Sequence, residues 1–133
     1  MSAPGWIAVG LLGGVAAAAR FAIDAELSAR ARGPFPLGIL VVNLAGAFVL
    51  GLVAGAALRG EALTIVAGGA IGSFTTFSTW ILDSHRLEQA GLTRIAWINV
   101  VASILLGFAA VSLGHWLGAL LMISNLYSGI TPD

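Results

Sequence analysis

The chain is organised by four long apolar stretches joined by short polar connections. They run from about Trp6 to Ile23 (extending towards Ala29), Leu37 to Leu58, Ala62 to Leu82 and Ile95 to Leu121. Between Arg94 and Asp133 no residue carries a formal charge. At about 1.5 Å per residue, helices of this length cross the ~30 Å hydrocarbon core of a bilayer. Charged residues make up only 9% of the chain, against about 25% in an ordinary soluble domain. A chain of 133 residues has too little interior to hide so much apolar surface from water. The expectation is an all-α membrane protein of four transmembrane helices. It is one membrane domain over 1–123, followed by a short polar tail over 124–133.

The connections carry most of the charge. Arg30-Ala31-Arg32-Gly33-Pro34-Phe35-Pro36 reads as a loop, Arg59-Gly60-Glu61 as a tight turn, and Gly91 as a helix stop. The odd-numbered connections hold Arg30, Arg32, Arg86 and Arg94, whereas the terminal side has only Arg59 between spans. That bias favours termini outside the cytoplasm. The start, Met1-Ser2-Ala3-Pro4-Gly5, lacks the basic region of a secretory signal, so the first stretch is expected to stay as a span. Gly10/Gly14, Gly51/Gly55 and Gly114/Gly118 are spaced for close helix approach. Arg20, near the end of span one, can snorkel to the headgroups or pair with Asp24.

Span three is irregular where a simple helix is expected. Gly68, Gly69 and Gly72 are followed by Ser73, Thr75, Thr76, Ser78 and Thr79, with Phe74, Phe77 and Trp80 interleaved. Glycine weakens a helix, and Ser/Thr compete for its backbone bonds. Such a stretch persists in lipid only if it is buried in protein or lines a polar cavity. We read it as a broken helix. Carbonyls near Gly72 and Thr75 would be freed, and such hard oxygens suit sodium or a similar cation. Two copies meeting at their breaks would double the ligand set.

Several function classes are excluded. Cysteine is absent, so thiolate chemistry and Cys-ligated metals are too. There is no lysine and no basic patch for nucleic acid. His85 and His115 lie on different segments, and no metalloprotease, Walker or dinucleotide pattern occurs. No enzyme is expected.

The deep polar groups are all neutral: Asn43, Thr75, Thr76, Ser78, Asn99 and Ser103. Amides and hydroxyls can donate to an anion without trapping it as a fixed counter-charge would. Alternatively they only link helices. Asn99, Ser103 and Gly107 recur every four residues on one face. Phe77 and Trp80 share a face, either as core packing or as electropositive ring edges along an ion path.

At Gly13-Gly14 through Arg20, Gly38 through Phe48 and Gly68 through Trp80, the chain resembles the Fluc/CrcB family of fluoride channels. The resemblance covers all four spans in order. It implies an antiparallel, dual-topology dimer with two pores in the cell's inner (plasma) membrane, conducting fluoride passively and selectively outward. It implies a structural sodium ion at the dimer centre, held by carbonyls at Gly72 and Thr75. By the same resemblance Asn43, Phe77, Ser78, Thr79, Trp80, Asn99 and Ser103 line the ion pathway, and Arg20 has a structural or vestibular role. Trp80 departs from the family pattern, which usually has a second pore phenylalanine there. Asn99 stands where some members have tyrosine, and Gly107 where the track can carry serine. The partner is an inverted second copy or, because the arginine bias is larger than an inverting homodimer needs, a paired homologous subunit. The rival reading is a four-span proton-coupled drug exporter. That class needs a carboxylate deep in a span, whereas Asp24 and Asp83 lie towards span ends. A membrane scaffold without transport is the bland alternative.

Overall fold

The computed structural model describes residues 1–128 and is all-α among them. In chain order it has α1 (Ala3–Arg30), α2 (Leu37–Gly55), α3 (Gly60–Leu63), a π-helical stretch (Thr64–Ile71), α4 (Gly72–Phe74), α5 (Phe77–Gln89) and α6 (Thr93–Ser128). The pieces from Gly60 to Gln89 form one bent span. With Ala3–Arg30, Leu37–Gly55 and Thr93–Asn125 it makes four helices long and apolar enough to cross a membrane. The chain is a multi-pass membrane protein.

The exposure pattern follows. Trp6, Leu11, Val15, Phe21, Leu105 and Phe108 all project outward. Water would penalise this surface heavily, whereas lipid tails solvate it at no such cost. The closed interior is correspondingly small, with Ile39, Val42 and Asn99 its largest fully buried side chains.

The ends of the elements have local causes. Ser2 caps α1, its Oγ accepting the Gly5 N–H at 3.1 Å. Ser2 also donates through its N–H and its hydroxyl to the Glu61 carboxylate, tying the start of α1 to the start of α3. Helix α5 gives way to Gly91 at φ 77°, and Leu92 N–H bonds the Leu87 carbonyl at 2.8 Å, as the glycine stop predicts. Helix α2 closes before the expected Leu58, in the same way but without glycine. Ala57 takes φ 55°, and Leu58 N–H reaches the Val53 carbonyl at 3.3 Å. Helix α6 runs past the expected Leu121, because neither glycine nor proline interrupts Ser124 to Ser128. The rest of the expected tail, 129–133, lies outside the described residues.

Glycine seams set the packing. A Cβ on Gly51 or Gly55 would lie 2.1 Å from the carbonyl oxygen of Val111 or His115. One on Gly114 or Gly118 would lie 2.1 or 2.2 Å from that of Phe48 or Leu52. Thus α2 and α6 run parallel with backbones in contact, and the two glycine pairs are partners of each other. Span one packs parallel to span three in a similar way, but not through the expected Gly10/Gly14 pair. Neither of those has a neighbour within 4 Å. The contact face lies one residue earlier, on Val9 and Gly13, which meet Gly69 and Ser73.

Gly114→Ala should therefore destabilise the fold by about 1–3 kcal/mol or more, since rigid backbone blocks the new methyl. Thermal unfolding in detergent, compared with Gly10→Ala on the open face, measures this. An unchanged midpoint for Gly114→Ala would refute the seam.

Candidate functional site

Span three leaves the α-helix before it breaks. Gly72 N–H bonds the carbonyl of Ala67, five residues back, so the segment before the break is wound as a π-helix. Thr75 then gives the Ile71 carbonyl two donors, its N–H at 3.0 Å and its Oγ1 at 3.1 Å. Thr75 and Thr76 are extended, at φ/ψ −85°/158° and −146°/124°. The helix restarts at Phe77 with Thr76 as its cap, the Thr76 Oγ1 accepting Thr79 N–H at 3.3 Å. The same hydroxyl donates to Thr79 Oγ1 at 3.1 Å and lies 3.4 Å from Ser78 Oγ.

Asn43 of α2 holds the break open. Its Nδ2 donates to the Thr76 carbonyl at 2.9 Å, and its Oδ1 accepts Thr76 N–H at 2.8 Å. One amide thus satisfies both backbone groups of a residue that has left the helix. The second Nδ2 hydrogen is left over, since an amide nitrogen carries two. Gly46 makes room beside it; a Cβ there would lie 2.2 Å from Thr75 Cγ2.

These bonds decide which carbonyls are left. In an unbroken helix Thr76 N–H would bond Gly72, and Thr79 N–H would bond Thr75. Both donors are diverted, the first to Asn43 and the second to the Thr76 hydroxyl. The Gly72 and Thr75 carbonyls therefore lose their helical partners. As neutral oxygen donors they fit a hard cation such as sodium.

Asn43, Gly46, Thr75, Thr76, Phe77 and Trp80 come together around a cavity of about 320 Å³. Phe77 is 72% exposed, and its ring meets Trp80 edge to face, with centroids 5.4 Å apart and planes at 67°. Ser78 and Thr79 lie between these two residues in the chain, their hydroxyls clustered with that of Thr76.

Asn99 and Ser103 lie apart from this cavity, on α6. Asn99 is completely buried and donates through Nδ2 to Ser84 Oγ at 3.0 Å; Ser84 donates in turn to the Trp80 carbonyl at 2.9 Å. The sequence reading did not single out Ser84. Its spacing, one turn after Trp80 and across the Gly91 turn from Asn99, was the available signal. Of the two possibilities for Arg20, the ion pair with Asp24 is not seen. Among the described residues the ion pairs are Arg30–Glu26, Arg86–Asp83 and a long His85–Glu88 contact, and Arg20–Asp24 is not one of them. Asp24 instead accepts the Ser28 hydroxyl at 3.2 Å and lies against Gly38.

Residues 7–115 match the profile of the CrcB-like proteins (Camphor Resistance, CrcB). The chain belongs to the CrcB family. Among its relatives, the fluoride-specific ion channel FluC 2 of Mycolicibacterium paratuberculosis is 45% identical over 115 residues, covering 86% of this chain and 94% of the relative. FluC 2 of Mycobacterium tuberculosis is 42% identical over 84% of this chain and 89% of its own length. FluC 1 of Symbiobacterium thermophilum is 40% identical over 85% and 96%. These CrcB relatives are named as channels, not enzymes.

Removing the Asn43 amide strands both backbone groups of half-buried Thr76, at up to about 1–3 kcal/mol each. Asn43→Ala should therefore expose the Thr76 amide to exchange at least tenfold faster, by hydrogen–deuterium exchange read at that residue. Unchanged protection would mean that the amide does not hold the break.

Proposed function

We propose that this chain forms a passive, fluoride-selective channel that lets fluoride leave the cell across the inner (plasma) membrane. The observation that carries the reading is the break at Thr75–Thr76, held open by a neutral amide beside a cavity with aromatic walls. The names of its relatives supply the ion. Fluoride is small and strongly hydrated, so its path must replace water with hydrogen-bond donors. Asn43, with one Nδ2 hydrogen unspent, and the hydroxyls of Ser78 and Thr79 are such donors. The positive ring edges of Phe77 and Trp80 add weak attraction without a fixed charge. Asn99 and Ser103 continue the polar line along α6, and Arg20 serves a vestibular or structural role.

The working unit in this reading is an antiparallel dimer with two pores. The freed Gly72 and Thr75 carbonyls of two facing chains would together hold one sodium ion. When bound, that ion supplies positive charge that offsets bringing an anion into a low dielectric. A second reading, pairing with a different homologous subunit, is favoured by the skew of Arg30, Arg32, Arg86 and Arg94 against Arg59. The exporter rival is not supported, since Asp83 pairs with Arg86 and Asp24 sits at the foot of α2.

Liposomes containing only this chain should release fluoride rapidly and retain chloride, as read by ion-selective electrodes. Phe77→Ile should slow that release at least tenfold while leaving the elution profile intact. Full flux in Phe77→Ile removes the ring from the path. No flux from folded wild-type protein refutes the homodimeric channel, and recovery on adding a paired subunit establishes the second reading.

A further inference from the structure

The first and third connections enclose a second cavity, of about 360 Å³, which shares no lining residue with the one at the break. Its walls come from the end of α1, the 33–36 loop and the last two turns of α5. Its depth in the membrane follows from the helix alignment. The Asn99–Ser84 hydrogen bond brings α5 and α6 level at those residues. Arg86 lies two residues from Ser84 towards the turn, and Trp97 two residues from Asn99 in the same direction. Both therefore stand about 3 Å nearer the turn. Trp97 is 64% exposed. An outward tryptophan near a helix end marks the membrane–water interface. The cavity thus lies at the depth of the lipid headgroups.

Its charges are mixed. Arg86 Nη1 donates to Asp83 Oδ1 at 3.3 Å, a single contact that leaves most of the guanidinium's donors free. The Asp83 side chain is 22% exposed and that of Arg86 65%, so both can be reached from outside. Ser28 Oγ also lines the cavity. It donates to Asp24 Oδ1 at 3.2 Å, and its lone pairs can still accept. Phe35 and Leu87 give the cavity apolar walls.

We infer that this cavity holds the headgroup of phosphatidylethanolamine, with the ammonium on Asp83 and Ser28 and the phosphate on Arg86. A primary ammonium has three N–H donors, and the carboxylate and the hydroxyl are acceptors for them. A guanidinium is the planar donor suited to phosphate. The headgroup lies antiparallel to the Asp83–Arg86 pair, so each charge gains an opposite neighbour. A purely anionic headgroup would meet the Asp83 carboxylate, with Asp24 one hydrogen bond behind it, and bring no cation to offset them. A choline headgroup cannot donate, and its recognition needs a cage of aromatic faces. Phe35 is the one ring among the lining residues.

Native mass spectrometry of the full chain tests this, with the chain released from micelles that hold equal amounts of phosphatidylethanolamine, phosphatidylcholine and phosphatidylglycerol of matched acyl chains. The ethanolamine lipid should be retained about tenfold over the choline lipid, the difference that one hydrogen bond to a charged group makes. Asp83→Asn should abolish that preference, whereas Arg59→Gln, on the other side of the membrane, should preserve it. If Asp83→Asn misfolds, the unaltered chain with N-methylated ethanolamine lipids gives the same reading, retention falling with each donor replaced by methyl. Equal retention of the ethanolamine and choline lipids overturns the site, as does a preference that survives Asp83→Asn. Stronger retention of phosphatidylglycerol also overturns it, in favour of simple arginine–anion contact. None of these readings depends on fluoride flux.

Discussion

The two hydrogen bonds between Asn43 and Thr76 are the constraint on which the site depends. A helix that opens inside a bilayer strands donors and acceptors that no water can reach. Thr76 contributes one of each, and an amide side chain is the neutral group that answers both at once. A hydroxyl would be too short and a carboxylate could not donate. Placing that amide to within hydrogen-bond tolerance requires a rigid α2. The seam of Gly51 and Gly55 against Gly114 and Gly118 supplies the rigidity by bringing α2 and α6 backbones into contact. Small residues far from the break thus fix the geometry at the break.

The π-helical stretch solves the other half of the problem. Span three must pack against α1 through Gly69 and still deliver Thr75 to the space left by Gly46. Wider winding over Thr64–Ile71 alters the direction in which the following residues leave the helix. The double use of the Ile71 carbonyl by Thr75 then ends the helix without an unsatisfied threonine donor. Each irregularity has a compensating bond nearby, as a membrane interior demands.

Much of this was legible in the sequence. Four spans followed from length and lack of charge, and the break followed from three glycines running into five hydroxyl residues. Gly91 marked a helix end, and Gly51/Gly55 and Gly114/Gly118 marked close contacts. The sequence could not say that those two pairs meet each other, because pairing is a property of the assembled bundle. Gly10/Gly14 has the right spacing but meets no helix of the same chain, where Gly13 takes the contact. The Arg20–Asp24 pair does not form, and Asp24 accepts the Ser28 hydroxyl instead. The π winding over Thr64–Ile71 left no local signature in the sequence. Asn43 was picked out as a polar group in the membrane, but its role as a clamp needed Thr76 beside it. Trp80, Asn99 and Ser103 were recognisable as polar or amphipathic; that Asn99 reaches Ser84, and through it the Trp80 carbonyl, depends on how α5 and α6 align.

The break also sorts charge without any ionised group. Carbonyls released at Gly72 and Thr75 present partial negative charge, while the first turn of α5, starting at Phe77, presents the positive end of a helix dipole. The two tendencies lie within a few residues of each other, separated by the Asn43–Thr76 pairing. One side can favour a cation and the other an anion in the same low-dielectric region, where each would strengthen the other's binding. A buried arginine or carboxylate could supply stronger attraction, but it would hold its counter-ion and stop flow. The carboxylates instead sit at span ends, with Asp83 beside Arg86 and Glu61 on Ser2. A dipole-built centre with charges kept to the rims is therefore the arrangement that reconciles ion binding with ion release.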